Sequence, residues 1–400
     1  MYNQITKIME FANKPLPQPS SLINNLTLIE EPKNQSPEQN EDQKEKPEED
    51  NNLITYKDNS TYKGSLQDGK KHGSGVLTLS NKDKYMGDFS QDKLEGRGKY
   101  EFNDNIQKYE GDWVDNNYNG KGKFIFYLET NQETNELKYI FYEGDFKKGK
   151  KHGHGKFINE ITNESYEGNF VNDVINGKGK YMNDLGIYEG EFIDGNKSGN
   201  GTFISKNGDK YIGQFEDNKK VGIGEMFFSN GDYYKGAFKN DMRNGKGEYI
   251  WKEGSSYIGD FVNDKKEGQG KLIFSNKDKY IGDFLDDKRH GNGKYIGHRG
   301  GYYEGQWVND MKEGKGFCKY RNGDKYEGNF KNDIREGEGK YEWVLGDRYI
   351  GNFSEGKIEG NGKYFWKEKI KDDNGKEKIV EKEMEGIFSN EKIKFIQNNL

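Results

Sequence analysis

The residues that could carry chemistry in this chain are few and widely separated. Of the five histidines, His72, His152 and His290 each precede the first glycine of a Gly-x-Gly pair. They fall in different copies of a repeated unit, tens of ångströms apart at ~9.6 Å per pair of strands, so they cannot share a metal. His152 and His154 stand two apart on one strand with no third ligand in the pattern. The single cysteine, Cys318, excludes an intrachain disulfide and fits a reducing compartment. It occupies a slot usually held by Tyr or Phe, which suits a small buried filler. The Gly-x-Gly pairs are followed neither by a helix nor by Gly-Lys-Ser/Thr, so they are not phosphate cradles. Acidic residues are spread evenly, and no nucleophile is patterned with a base. The expectation is a protein that is not an enzyme, with no catalytic residues, no cofactor and no metal.

The elements around these residues belong to a repeat array. Tyr-x-Gly-x-Phe/Trp occurs in thirteen copies, from Tyr62 (where Leu66 takes the last place) to Tyr349, with every step from Tyr188 onward being 23 residues. A degenerate further start lies at Met384. In "YEGNF" the residues Tyr326, Gly328 and Phe330 alternate and share one strand face. "KNDIRE" reads as a polar turn, and "GEGKYEW" as a second strand with Gly337, Gly339, Tyr341 and Trp343 on one face. Turns such as "NGD" or "LGD" lead to the next tyrosine. Each unit is therefore a β-hairpin. Strand glycines leave room for the rings of neighbouring strands. The fold class is all-β: an elongated single-layer antiparallel meander, a solenoid-like ribbon of 13 hairpins with one aromatic and one charged face.

Composition divides the chain. The 54 glycines all follow residue 52, and the six prolines all precede residue 50. Residues 1–52 form an acidic, Pro-containing segment expected to be disordered. Within it Leu22, Leu26 and Ile29 stand at helical spacing and predict either a short docking helix at 21–31 or mere residual apolar content. The array covers 53–395, and 396–400 is a short C-terminal tail. The N-terminus lacks a charged-then-apolar secretory pattern, and no apolar run reaches membrane-spanning length, so a cytoplasmic protein is expected.

The repeated clause resembles the MORN (membrane occupation and recognition nexus) repeat family over about residues 54–395. The resemblance implies a curved β-sheet with an aromatic groove and roles in protein scaffolding, cytoskeletal or ciliary assembly, or membrane contact. Nothing outside the repeats corresponds to the kinase or methyltransferase domains carried by some relatives.

Three departures from the regular pattern stand out. The steps Tyr109–Tyr142 and Tyr349–Met384 are 33 and 35 residues. They read either as extended hairpin arms near 127–141 and 367–383 or as tolerated loop insertions. The third departure is in the ring found seventeen residues past each anchor. That slot is polar in repeats four to six (Asn159, Asn183, Ser205), then aromatic at Phe228, Trp251, Phe274, Trp343 and Trp366, with a break at Gly297. Each ring fills the curved sheet, or the row forms a groove that receives an extended peptide or helix. The array's charge is balanced, which favours protein partners over anionic lipid; phospholipid contact is expected to be weak, and nucleic acid is not a partner. The oligomeric state is not encoded in any pattern.

Overall fold

The computed structural model describes residues 12–26, 53–130, 137–371, 375–389 and 392–394. Among these the chain is all-β, with 29 strands and a single 3-10 turn at Ser21–Asn24. No helix among the described residues is long and apolar enough to cross a membrane. Two compact units are distinguished. The first runs to Gly208 and includes Phe215–Asn218; the second comprises Asp209–Gln214 and the chain from Lys219.

Within each unit strands pair antiparallel with their sequence neighbours. The first unit begins with Leu53–Thr55 on Thr61–Gln67 and ends with Gly186–Ile193 on Asn196–Ser205. The second runs from Lys219–Phe227 on Tyr233–Lys239 to Glu377–Ser389 on Lys392–Lys394. The two residues closing each hairpin adopt left-handed backbone, as at Asn332 (φ 47°) and Asp333 (φ 69°). That geometry matches the twist of the flanking strands and suits Asn and Asp. The second turn residue also ties one hairpin to the previous one: Arg243 N–H donates to Asp264 Oδ1 at 2.9 Å, and Asp264 N–H donates to the Arg243 carbonyl.

The two glycines of Gly-x-Gly have different duties. The first, as at Gly245 (φ 100°), sits in left-handed backbone where the register of the flanking ladder shifts. The second lies under an anchor ring: a Cβ on Gly247 would fall 2.5 Å from both Cε2 and Oη of Tyr234. These second glycines pair across strands with the glycines of Tyr-x-Gly-x-Phe, for example Gly236 with Gly247 and Gly247 with Gly259. The sequence reading put Gly337 and Gly339 in one uniform strand; only the second behaves that way. Gly337 is a left-handed residue beside a register shift.

The anchor tyrosines from Tyr62 to Tyr349 are at most 2% exposed. Tyr234 shows how a single layer buries them. Its ring makes edge contacts with Phe238 and with Phe261 of the next repeat, both at 5.2 Å, and its hydroxyl donates to the Ala237 carbonyl at 3.0 Å. The opposite face is charged, and register opposes the signs: Lys99 faces Glu110, Glu110 faces Lys123, and Lys123 faces Glu143. Open furrows over the glycine pairs lie on this charged face, one of them bounded by Lys99, Glu110, Lys123 and Glu143.

The two long steps contain lengthened strands. Asn117–Thr130 pairs with Leu137–Lys147, and Lys357–Lys371 pairs with Glu377–Ser389 as far as Lys371 opposite Glu377. Their turn residues, 131–136 and 372–374, lie outside the described residues.

Candidate functional site

The aromatic face of the first unit carries a passenger. Residues 12–26, expected to be disordered tail, lie on it as an extended strap, with Ala12 2% and Ile23 5% exposed. Residues 1–11 and 27–52 lie outside the described residues. The strap is held mainly through its backbone. Lys151 Nζ donates to the carbonyls of Ala12 and Lys14, both at 2.7 Å. Tyr118 Oη donates to the Pro17 carbonyl at 3.0 Å, and Ser20 N–H donates to Tyr100 Oη at 3.1 Å. Asn13 Oδ1 accepts from Ile175 N–H at 2.8 Å, and Gln18 Nε2 donates to the Gly149 carbonyl at 3.0 Å.

Two of the strap's side-chain supports, Tyr118 and Lys151, come from one column, nine residues past each anchor. In repeats two to five it holds Leu94, Tyr118, Lys151 and Ile175, each fully buried. Burial pushes the Tyr118 hydroxyl well up and pushes the Lys151 amine down to about 8, with Asp173 opposing the latter. In the second unit the same column reads Lys220, Arg243, Lys266, Arg289, Lys312 and Arg335, and then Ile358 in the last repeat. Each of these cations stacks on its own anchor tyrosine, at 5.4–5.9 Å from the ring centre. Arg243 and Arg289 are steered by Asp264 and Asp310, whose carboxylates accept from Nε at 2.9 Å.

A second column, fifteen residues past the anchor, forms tyrosine–carboxylate pairs. Tyr100 donates to Asp83 at 2.6 Å, Tyr181 to Glu164 at 3.0 Å, Tyr249 to Asp232 at 2.7 Å and Tyr341 to Asp324 at 2.7 Å; Tyr295 donates to Asp278. The Tyr295 hydroxyl holds the Asp278 carboxyl well below its usual range, helped by the His298 amide and ring. Cys318 occupies this column and is buried, with its thiol pushed up by that burial.

The expected groove residues are located as follows. Phe228, Trp251, Phe274 and Trp343 each stand one residue past a strand end, at the start of the turn between hairpins. Their N–H groups donate across that turn, Trp251 to the Ser255 carbonyl at 3.0 Å. All four are half-buried on the aromatic face. Trp251 lies 4.7 Å from the Tyr249 ring, and Trp343 lies between Tyr341 and Tyr364 at 4.8 and 5.5 Å. Trp366 differs in being inside the long strand Lys357–Lys371, 6.1 Å from Tyr364. At 21–31 the described residues show only the 3-10 turn, which buries Ile23 and leaves Leu22 and Leu26 half-exposed; Ile29 lies outside the described residues. The strap and its column were missed by sequence reasoning. The available signal was the change of that column from cations to Leu94, Tyr118 and Ile175.

Comparison with known proteins agrees with the repeat reading. The MORN repeat profile matches thirteen consecutive segments, from 62–84 to 349–368, together more than half of the chain. A search of curated protein sequences found no match. Among solved structures, the SAS-4 (dCPAP) TCP domain in complex with a proline-rich motif of Ana2 (dSTIL), from Drosophila melanogaster, is 12% identical. It covers 46% of this chain and 83% of its own, with a TM-score of 0.20. A streptogramin B lyase is 11% identical, covering 60% and 78%, with a TM-score of 0.12. Likenesses this faint bear on neither architecture nor activity. It is the thirteen matched segments, each laid down as a hairpin with its tyrosine over a paired glycine, that make this chain a member of the MORN repeat family.

Proposed function

We propose that the protein is a non-enzymatic interaction scaffold whose aromatic face binds extended segments of protein partners. The observation that carries this reading is the strap: in the first unit the face already holds an extended stretch of chain by its backbone carbonyls and amides. A surface that recognises backbone accepts many sequences, which suits a scaffold. The perturbed tyrosines and carboxylates are engaged with one another, as in Tyr249–Asp232, and this supports a structural rather than a catalytic duty. The setting we propose, a cytoskeletal or ciliary assembly in the cytoplasm, rests on family membership alone.

The test is capture of partners from the native cell with the wild-type chain and with Trp251→Ala. Losing a half-buried anchor ring should weaken capture by about 1–3 kcal/mol. Tyr257→Ala should instead lower the melting temperature, since that ring is fully buried. If Trp251→Ala captures the same partners with unchanged affinity while melting early, the row is core and the reading fails.

A further inference from the structure

The strap has a period. Lys14 is held by Lys151 in repeat four, Pro17 by Tyr118 in repeat three, and Ser20 by Tyr100 in repeat two. Over residues 14–20 each repeat is crossed in three residues, the first two contacts made by carbonyls on the column nine past the anchor and the third by an N–H on Tyr100, fifteen past its anchor. Beyond this the chain turns, and Asn24 accepts from Asn116 of repeat three. A polyproline II helix has three residues per turn at ~3.1 Å each, so about 9.3 Å per turn. Two strands of a sheet occupy about 9.6 Å. The two periods agree, so a chain in this conformation presents the same edge to every repeat. Pro15, Pro17 and Pro19 favour that conformation in the strap.

Six successive repeats of the second unit carry a cation at this position. Its column of Lys220, Arg243, Lys266, Arg289, Lys312 and Arg335 recurs every 23 residues and is pre-ordered by stacking on the anchor rings. Lys151 demonstrates what a cation in this column does: it caps two carbonyls of a chain lying over it. A guanidinium has five N–H donors, and the Asp264 contacts of Arg243 use two. Acceptors for a ligand's N–H groups are sparser. Tyr249, Tyr295 and Tyr341 already donate to carboxylates, as Tyr100 does, and their oxygens can receive an amide as Tyr100 receives Ser20. The intervening repeats offer Leu272 and Cys318 at that position.

This face therefore suits a ligand rich in carbonyls and poor in N–H groups. An acidic peptide fits less well, because Asp264 and Asp310 already face the arginines and would repel its carboxylates. We propose that the aromatic face of the second unit is a docking track for a proline-rich segment of another protein. The segment binds as a polyproline II helix, one turn per repeat, with its carbonyls on the Lys/Arg column and its rings against Phe228, Trp251 and Phe274. This rests on the scaffold reading above and adds the class of partner.

The probe is a fluorescent fifteen-residue oligoproline titrated with the full chain, beside a Gly/Ser peptide of equal length. Saturable binding of oligoproline alone is expected. Replacing Arg243 and Arg289 together by Ala should weaken it at least tenfold, and Lys at both positions should restore most of it. Lys271→Ala, on the charged face, should leave it unchanged. Melting curves separate lost binding from lost folding. The proposal is overturned if oligoproline does not bind, if the Gly/Ser peptide binds equally, or if the double Ala variant binds as wild type. It is also overturned if Tyr118→Phe alone changes the affinity, which would place the probe on the first unit. Should oligoproline fail while Trp251→Ala still weakens partner capture, the scaffold reading stands and the proline-rich assignment falls.

Discussion

Gly247→Ala tests how the array is held together. The new methyl would sit 2.5 Å from Cε2 and Oη and 2.7 Å from Cζ of Tyr234, a ring that is fully buried. Neither side can give. Gly247 is paired on both flanks with Gly236 and Gly259, and Tyr234 is wedged between Phe238 and Phe261. Overpacking of this kind costs about 1–3 kcal/mol, and displacing the ring adds the lost hydrogen bond to Ala237, about 1 kcal/mol. A penalty of about 3 kcal/mol corresponds to roughly a hundredfold rise in local opening. The comparison is Gly254→Ala, where φ is 92° but no atom lies within 4 Å of the added methyl. There only backbone strain is felt, about 1–2 kcal/mol. Long repeat arrays do not unfold in two states, so the assay is native-state hydrogen exchange at the amides of repeats eight and nine. If Gly247→Ala raises exchange no more than Gly254→Ala, the account of rings seated on glycines is wrong.

Three further outcomes follow from the strap and the charged face. Ile175→Lys should place an unpaired charge beneath the strap, abolish exchange protection of residues 12–26, and cost little once those residues are deleted; equal costs in the two backgrounds would deny that the strap covers Ile175. Burial lowers Lys151 from its ordinary 10.5 to about 8, and the strap carbonyls of Ala12 and Lys14 close over its amine, so the covered state binds fewer protons. Docking should therefore be strongest above pH ~10.4, weaken as the pH falls toward 8, and stay level below that, read as strap opening by exchange corrected for intrinsic rates. The alternation of Lys99, Glu110, Lys123 and Glu143 across the charged face predicts weak, salt-sensitive binding to anionic liposomes, and tight binding in physiological salt would contradict it.

The hairpin array was legible because its signals are local. Alternation places Tyr326, Gly328 and Phe330 on one face whatever lies elsewhere, and Asn332-Asp333 closes its turn by its own backbone preference. What alternation could not reveal was the division of labour between Gly245 and Gly247, since one answers to backbone conformation and the other to a ring on the preceding strand. The row from Phe228 to Trp343 recurs with the repeat, yet its position just past each strand end depends on where the inter-hairpin turn begins. The strap was illegible for a different reason. Four of its contacts are made by backbone groups and the others by the irregularly spaced Asn13, Gln18 and Asn24, which leave no side-chain period, and its prolines and polar residues share the composition of an unstructured tail. Helical spacing drew attention to Leu22, Leu26 and Ile29, whereas the short 3-10 turn buries Ile23.

The strap and the column beneath it explain each other. A position nine residues past an anchor lies on the aromatic face, between rings of successive repeats. Left open to water, it is served by a cation, whose stem covers the rings while its head stays hydrated, and Arg243 and Arg289 are each about one-fifth exposed in that way. Leu94, Tyr118 and Ile175 would leave apolar surface uncovered there, unless something else lay over them. The strap is that cover, and Lys151, the one cation kept under it, is spent on two carbonyls that would otherwise be buried without donors. One column can therefore change what the face receives while the tyrosines, glycines and turns that make the fold remain constant. Where Leu94, Tyr118 and Ile175 turn the column apolar the face stays covered, and where six successive repeats carry Lys or Arg it stays open to water.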